Sequence, residues 1–442
     1  MRLRHLLSGL LALQASPNAA STLDNEAGEY TLSALPDPLR EAERMDRMQL
    51  SDQQPAGRQV RKGETLIVHT SGLPPGFVLS ATVGFLPMWN VEQTEQVEVL
   101  DEGETRFRAD QDGPLFFRLN PPAGRDGARA EVRVRLNGGR PLPLYVDGAM
   151  DAQDWSDELE AHGHAAFVQL LGERALITLP ATVYARQPIP DPSASFATID
   201  RVIQLQDELA GFDASSGRDA PTRLRLHYLV DFRVSAADRE TFYMYATDQF
   251  IGMLDDNTAD LTDPRRLRQQ WGIWHETGHT YQQNSWTFDA LGEVNVNLFS
   301  LYVQERFGQP SALHQAEEGE AAILERARDY LAQGASDYLE EPPEDEDSSG
   351  YFIRLVLFHQ LKEVYGWELF MDLHKHFRAH PLPADASDQD RADAFVQALC
   401  LLTGHDLRPF FERWGLRVSE AADAAIAAQN YAVPQYDIAG VF

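Results

Sequence analysis

The stretch W-G-I-W-H-E-T-G-H-T-Y-Q-Q, residues 271–283, determines how the rest of this chain is interpreted. His275 and His279 are four residues apart, so on a helix their imidazoles lie on one face, one turn apart. Two such imidazoles can bind one zinc ion, and Glu276, rotated about 100° from His275, can reach a water at the metal without binding the metal. The pattern predicts the ligand and general-base arrangement of a zinc metalloprotease. The simpler alternative is a helix that carries two surface histidines.

The helix around this motif is predicted to extend over residues 264–283. Thr262 or Asp263 can cap its N-terminus, and Pro264 suits its first turn. Apolar and small residues then recur at helical spacing as far as Gly278.

The metal needs a third protein ligand, and two classes of zinc peptidase supply it differently. In one class a glycine and a third histidine follow the motif, at positions that hold Gln282 and Ser285 here, which excludes that class. In the other class a carboxylate comes from a following helix. Residues 289–308 predict such a helix, with Asp289 as its cap and Gly308 at its end.

Glu293 lies in the first turn of this second helix, where the helix dipole favours a carboxylate, and it is the predicted third ligand. Asp289 is the alternative ligand, and a capping acid without metal is the simpler interpretation of Glu293. Asn297 follows one turn later and is predicted to orient Glu293. Three protein ligands leave a position for water, as in catalytic rather than structural sites, so we expect one catalytic zinc per chain.

Composition narrows the class of protein. The chain has 442 residues, of which 43% are hydrophobic, enough for two or three packed domains. Its formal net charge of −30 disfavours nucleic acid and anionic membrane surfaces as partners, because both would repel it. Cys400 is the only cysteine, so neither an intrachain disulfide nor a multi-cysteine zinc site is possible, and its apolar neighbours predict a core position.

The N-terminal residues 1–20 predict a secretory signal peptide. Arg2 and Arg4 form a basic region, an apolar run follows at 6–13, and small residues come next. An amphipathic N-terminal segment is the alternative. We therefore expect a secreted, periplasmic or cell-surface protein. No other apolar run approaches the length of about 18 residues that a membrane span needs, so stable membrane insertion is not expected.

The remaining chain predicts an α+β multidomain fold. Residues 21–57 are polar and predict a linker, with a short helix around 39–48. Short alternating strands over 58–148 predict an accessory β-sandwich. Residues 149–442 predict a zincin-like, mostly helical catalytic domain. The acidic run 340–350 has Val356 where a calcium-binding EF-hand loop needs glutamate, so it is predicted to be a solvated loop.

These motifs together resemble the enhancin and mucinase family of gluzincins, family sixty of the metallopeptidases. The resemblance rests on W-H-E-T-G-H-T-Y-Q-Q (274–283), Trp286 and G-E-V-N-V-N-L-F-S-L-Y (292–302). It extends to P-L-Y-V-D-G (143–148) and L-L-T-G-H-D-L-R-P-F-F-E-R-W-G-L (401–416), and so covers roughly residues 58–430.

The resemblance implies a secreted zinc endopeptidase of mucins and other O-glycosylated proteins. His275, His279 and Glu293 would be its ligands, and Glu276 the general base towards a zinc-activated water. A glycan-binding or adhesion protein with an inactive zinc domain is the alternative from a different class. An intracellular zinc hydrolase is the third hypothesis, should the N-terminal segment not be a signal.

Four aromatic residues are weaker candidates for the site. The oxyanion of a peptidase intermediate needs a donor besides zinc, and the tyrosines near the motif are candidates: Tyr243, Tyr245 and Tyr281. Trp286 is a candidate for lining the cleft and stacking on substrate or sugar. For all four, ordinary core packing is the simpler interpretation.

Overall fold

The computed structural model describes residues 23–24, 28–88, 94–234, 237, 239, 243–316, 321–340 and 349–442. The predicted signal peptide and most of the acidic run 340–350 lie outside these ranges. The strands are β1 (Leu23–Asp24), β2 (Glu29–Ser33), β3 (Gln54–Val60), β4 (Thr65–Ser71), β5 (Val78–Val83), β6 (Gln96–Leu100), β7 (Gly103–Arg108), β8 (Gly113–Asn120), β9 (Glu131–Asn137), β10 (Arg140–Pro141), β11 (Leu144–Val146), β12 (Phe167–Leu171), β13 (Ala175–Pro180), β14 (Leu226–Val230), β15 (Met244–Thr247) and β16 (Phe250–Met253). The helices are α1 (Pro38–Met45), α2 (Ala152–Ala161), α3 (Ala181–Arg186), α4 (Pro192–Leu209), α5 (Thr258–Thr262), α6 (Pro264–Leu267), α7 (Trp271–His279), α8 (Gly292–Asn295), α9 (Asn297–Arg306), α10 (Ile323–Gln333), α11 (Ser349–Tyr365), α12 (Glu368–Ala379), α13 (Asp388–Thr403), α14 (Arg408–Arg413) and α15 (Glu420–Ala428).

Two five-stranded antiparallel sheets form the N-terminal part of the chain, in the orders β1-β2-β9-β4-β7 and β10-β3-β8-β5-β6. Their strands alternate between apolar and polar residues: β9, E-V-R-V-R-L-N, buries its apolar side chains and exposes the others. Side chains from both sheets meet in one hydrophobic cluster, to which Leu32, Val68, Leu79 and Leu115 belong.

The segment 21–57, predicted as a polar linker, is part of this N-terminal fold where the structure describes it. Strand β2 pairs with β9 and buries Tyr30 and Leu32, and β3 begins within the segment at Gln54. The predicted short helix around 39–48 is α1, capped by the carboxylate of Asp37. Because only alternate residues of β2 are apolar, the mean polarity of the segment concealed a strand with one buried face.

The second part of the chain is a mixed α/β region built on a six-stranded sheet in the order β11-β12-β13-β14-β16-β15. The pairs β11/β12, β13/β14 and β14/β16 are parallel, and the other two are antiparallel. Strand β15 lies at one edge of the sheet. None of the helices in the described part of the chain has the length and apolar character needed to cross a bilayer.

The two faces of this sheet contact different parts of the molecule. Tyr228 and Met253 lie in the large hydrophobic cluster formed with the helices. His227 and Phe250 point to the opposite face, where His227 packs against Phe116 of β8, with ring centroids 5.7 Å apart. The sheet is therefore enclosed by helices on one side and by the N-terminal sheets on the other.

Buried polar residues join the N-terminal sheets to the second part of the chain. Arg118 on β8 forms ion pairs with Asp52 at 3.3 Å and with Glu95 at 2.6 Å. Gln53 donates a hydrogen bond to Glu95 at 2.9 Å, and its carbonyl oxygen faces Nδ1 of His227 at 2.9 Å. We call these five residues the interdomain network. Burial lowers the pKa of His227 to about 3, so the imidazole stays neutral within it.

Candidate metal centre

The helix predicted over 264–283 is divided into α6 and α7 in the structure. The carboxylate of Asp263 caps α6, and the chain leaves helical geometry at Gln270 before α7 begins at Trp271. The indole of Trp274 donates a hydrogen bond back across this break to the carbonyl of Leu267, at 2.8 Å. Because of this break, α7 is a separate short helix, and its last residue is His279.

Close packing on both sides fixes the position of α7. Thr277 Oγ1 and the Tyr228 hydroxyl lie 2.8 Å apart, which ties the helix to the centre of the six-stranded sheet. On the opposite side Gly278 lies against α9, and a Cβ at this position would approach Val296 to 3.1 Å. The absence of a side chain at Gly278 therefore lets α7 approach α9 closely, and α9 directly follows the short helix α8 that carries Glu293.

The three predicted ligands converge on one point. His275 Nε2 lies 3.0 Å from Glu293 Oε2 and 3.1 Å from His279 Nε2, and the third distance, from His279 Nε2 to Glu293 Oε2, is 3.6 Å. Zinc bonds of about 2.0–2.1 Å in a tetrahedron place neighbouring ligand atoms about 3.3–3.4 Å apart. The observed spacing brackets that value, so the three atoms fit a single zinc ion without rearrangement.

The other nitrogen of each imidazole faces an amide oxygen. His275 Nδ1 lies 2.8 Å from Asn297 Oδ1, which also accepts a hydrogen bond from the indole of Trp271 at 3.0 Å. An indole N–H can only donate, so the Asn297 atom that it meets must be the oxygen, and His275 must donate from Nδ1. Gln282 Oε1 is in the equivalent position, 2.7 Å from Nδ1 of His279.

With both Nδ1 atoms protonated, both Nε2 atoms carry lone pairs. These lone pairs and the carboxylate of Glu293 face one another with no donor among the three. Such a set is repulsive unless a cation or an added proton lies between its members. Zinc fits this donor set by number, type and spacing of ligand atoms.

Protons compete for the same atoms. Contacts with His275 and then His279 hold the pKa of Glu293 well below its usual range. Burial opposes protonation of His279, but the contacts with Glu293 and the charge of Glu276 outweigh it and raise the pKa of His279. Binding of a metal at these atoms would therefore release protons.

Asp289, the alternative ligand, lies outside this group of three. It begins a short 3₁₀ turn, Asp289–Leu291, and its main-chain N–H is directed to Asp388. Asn297 differs from its predicted role: its oxygen accepts from His275, and its amide nitrogen donates to the main-chain carbonyl of Glu293 at 2.9 Å rather than to the carboxylate. It therefore orients a histidine and the local backbone.

Glu276 lies beside the three ligand atoms without joining them. Burial, with a smaller contribution from the charge of Glu293, raises the pKa of its carboxyl group, while the neighbouring histidines and the main-chain N–H of Ala246 lower it. Ala246 belongs to the edge strand β15, so this carboxylate is held between the edge of the sheet and the metal ligands. Its position suits the predicted general base.

Of the three candidate tyrosines, Tyr243 is the one near Glu276: burial, then Asp260 and the charge of Glu276, raise the pKa of its hydroxyl. Its ring covers Gly272 of α7, where a Cβ would come within 2.7 Å of the ring, and its hydroxyl donates to Asp260 at 2.9 Å. Tyr245 lies within β15, which begins just after Tyr243, and it points to the opposite face of the sheet, where its hydroxyl donates to Asp231 at 2.7 Å.

Tyr281 and Trp286 are core residues and not cleft residues. The hydroxyl of Tyr281 donates to Asp207 at 2.8 Å in a fully enclosed environment. Trp286 is buried and stacks on Phe395, with ring centroids 5.4 Å apart. The turn after α7 leads both side chains into the interior, which the sequence alone does not reveal.

Gln282 and Trp271 also belong to the site, since Gln282 contacts His279 and Trp271 contacts Asn297, and the sequence does not predict either contact. The available signal was positional: Gln282 follows His279 by three residues, which places the two side chains close together just beyond the helix end.

The sequence profile of peptidase M60, enhancin and enhancin-like, matches residues 138–415. Among curated proteins, the human TRPM8 channel-associated factor 2 is 26% identical over 321 residues, which are 71% of this chain and 31% of that protein. The chain thus spans about a third of the length of the curated relatives it matches.

Solved structures share most of the fold. A conserved protein of unknown function from Bacillus anthracis is 26% identical, with a TM-score of 0.78, over 93% of this chain and 80% of that chain. The M60 catalytic domain of Clostridium perfringens ZmpC, solved in complex with the sialyl T antigen, has a TM-score of 0.70 at 18% identity. The alignment covers 93% of this chain and 81% of that chain.

Proposed function

We propose, from the premise that this chain belongs to the peptidase M60 family of enhancin and enhancin-like proteins, that it is a zinc-dependent metalloendopeptidase of glycoproteins. The observation that carries the proposal is the convergence of three acceptor atoms, from His275, His279 and Glu293, with Glu276 beside them. This combination provides three protein ligands together with a nearby proton acceptor, as in catalytic zinc sites.

A zinc ion held by these ligands would supply Lewis acidity to a water molecule and to the scissile carbonyl. Glu276 accepts the proton of the attacking water and then passes it to the leaving amine. The Ala246 main-chain N–H holds the carboxylate of Glu276 in place while it does so. Asn297 and Gln282 direct the histidine nitrogens towards the centre.

The edge strand β15 is the proposed binding surface for the substrate backbone. On one side β15 pairs with β16. Its other side forms the edge of the sheet and lies beside Glu276. An extended peptide can add to such an edge through main-chain hydrogen bonds, with little dependence on sequence. Tyr243 lies at the same edge, beside α7, and is the proposed substrate contact. It becomes an oxyanion donor only when its hydroxyl turns from Asp260 to the substrate.

The proposed substrates are mucin-like, O-glycosylated proteins. Support comes from the family and from the ZmpC catalytic domain, which shares this fold and was solved in complex with the sialyl T antigen. Secretion through the N-terminal signal is proposed on the same grounds. The N-terminal sheets are proposed to be a β-sandwich accessory domain that supports the catalytic sheet.

The test compares the wild type with Glu276→Gln, which keeps the size of the side chain and removes its proton acceptor. Both proteins should hold one zinc per chain. We expect cleavage of mucin to fall by at least about 10²–10⁴-fold in the variant, measured by mapping new termini. Deglycosylated mucin, assayed in parallel, shows whether the glycan is required.

Equal cleavage by the two proteins would remove Glu276 from the mechanism. If the wild type holds zinc and binds mucin but cleaves no substrate, the protein is a glycan-binding protein with an inactive zinc domain. Cleavage of unglycosylated peptides as readily as mucin would contradict the proposed preference for glycoproteins.

A further inference from the structure

We propose that Gln282 is a positioning residue that fixes the tautomer of His279 and ties the end of α7 to the turn that carries Glu293. The inference rests on the proposed function, because it concerns how this chain prepares its metal ligands. Neither the family match nor the ligand motif itself assigns a role to position 282.

The orientation of the Gln282 amide follows from its partners. Nε2 lies 2.6 Å from the main-chain carbonyl oxygen of Gly292, which can only accept a hydrogen bond. The atom that meets this carbonyl must therefore be the nitrogen, which leaves Oε1 facing His279 at 2.7 Å. His279 must then donate from Nδ1, so its Nε2 lone pair is directed to the metal centre.

The same amide joins two segments that carry ligands. Its nitrogen also donates to Asn295 Oδ1 at 2.5 Å, and Asn295 in turn donates to Thr287 Oγ1 at 2.9 Å. Gly292 immediately precedes Glu293. A change at Gln282 would therefore disturb His279 directly and Glu293 through the backbone of α8.

Both functions of the amide are needed for this arrangement. A carboxylate at position 282 could still accept from His279, but it could not donate to Gly292 and Asn295. An aliphatic residue could do neither. Asn297 orients His275 in the same manner, so both histidines are oriented by neutral amides, and Glu293 supplies the only charge among the three ligands.

The adjacent residue Gln283 offers a matched control. It is a buried amide that donates to the carbonyl of His374 at 3.0 Å and accepts from the indole of Trp286 at 3.1 Å. It has no hydrogen bond to a predicted ligand among the described residues. Replacing it should disturb packing as much as replacing Gln282, without a direct effect on His279.

The experiment measures the zinc dissociation constant by competition with a chelator for the wild type, Gln282→Ala, Gln282→Glu and Gln283→Ala. We expect zinc binding about 10–100-fold weaker in Gln282→Ala, the usual effect of removing a partner of a ligand histidine. Gln282→Glu should recover part of this loss, because it keeps the acceptor. Gln283→Ala should lower the melting temperature while its zinc affinity stays within about twofold of wild type.

Nitrogen NMR of the ring of His279 gives an independent readout. The zinc-loaded wild type should show a protonated Nδ1 and a metal-bound Nε2. At a pH where the ring is neutral, the zinc-free wild type should keep the Nδ1–H form, whereas zinc-free Gln282→Ala should lose it and show exchange between the two neutral tautomers. A purely structural role of Gln282 would leave this signature unchanged.

The outcomes separate the two proposals. A wild-type protein that holds no zinc contradicts the proposed function itself. Zinc binding by the wild type with an unchanged affinity in Gln282→Ala, or an equal loss in Gln283→Ala, contradicts the positioning role alone.

Discussion

Replacement of Arg118 by methionine should destabilise the protein strongly, because it removes the cation from the interdomain network. The Arg118 side chain is 15% exposed, and the carboxylates it pairs with, Asp52 and Glu95, are only 2% and 5% exposed. Breaking a buried pair by removing one partner typically costs about 3–5 kcal/mol, since the remaining charge is left without compensation. With two carboxylates left, we expect the upper part of this range.

The loss should depend on pH in a defined direction. Burial already raises the pKa of Asp52 and of Glu95, and the charge of Arg118 opposes this, so the substitution raises both pKa values further. A carboxyl group with a raised pKa in the folded state costs stability above that pKa, and protonation removes the cost. The difference in the free energy of unfolding between wild type and variant should therefore shrink as the pH falls from about 8 to about 5.

Urea denaturation followed by tryptophan fluorescence measures these free energies. Arg106→Met is the control: Arg106 is 61% exposed and lies 3.5 Å from Glu104, which is 50% exposed, so its loss should be within about 1 kcal/mol. A loss below about 1 kcal/mol for Arg118→Met, or a difference that grows towards acid pH, would refute the reasoning.

Three further outcomes are expected. Tyr281→Phe should cost about 1–3 kcal/mol of unfolding free energy and leave turnover unchanged, because its buried hydroxyl serves Asp207; a tenfold fall in turnover with stability unchanged would contradict this. Gly272→Ala should displace Tyr243 and lower kcat/KM by up to about 10²-fold at wild-type zinc content, and wild-type kinetics would contradict the placement of that tyrosine. Removal of the metal should abolish cleavage. It should also lower the free energy of unfolding by about 4 kcal/mol, compared with protein in zinc at 1,000 times its dissociation constant. His279→Ala, measured in the same way, should show little stabilisation by zinc.

The metal centre could be predicted largely from local sequence. His275 and His279 needed only helical spacing, and Glu293 needed only a helix that returns to the same point. Asp289 was the competing acid, and four residues of sequence separate it from Glu293, about one turn. The structure distinguishes them because the chain enters α8 through a 3₁₀ turn that begins at Asp289, whose main-chain N–H donates to Asp388, and the Asp289 carboxylate is not among the converging ligand atoms.

The residues around the ligands were harder to predict because their roles depend on tertiary direction. Asn297 is on the predicted face, but the partner of its oxygen is His275, since the indole of Trp271 fixes the amide orientation. Tyr245 and Ala246 are neighbours on β15, and the alternation of a strand sends their side chains to opposite faces. Which face meets α7 depends on the register with β16, a long-range property that composition does not contain.

The polar segment 21–57 shows a second limit of sequence reasoning. Its buried polar side chains, among them Asp52 and Gln53, look like solvent-facing residues in one dimension. They are buried because each finds a charged or hydrogen-bonding partner on a distant strand, such as Arg118 or His227. Average polarity predicts burial poorly wherever polar groups pair with one another.

The contact of the N-terminal sheets with the catalytic sheet has a consequence for modular inheritance. The family match begins at residue 138, which suggests a boundary at which recombination could exchange domains. A protein cut there would uncover Phe250 and His227, one apolar and one deprived of the Gln53 partner that keeps it satisfied. Natural or engineered chimeras should therefore remain soluble only when the N-terminal sheets and the face of the six-stranded sheet that they cover are inherited together.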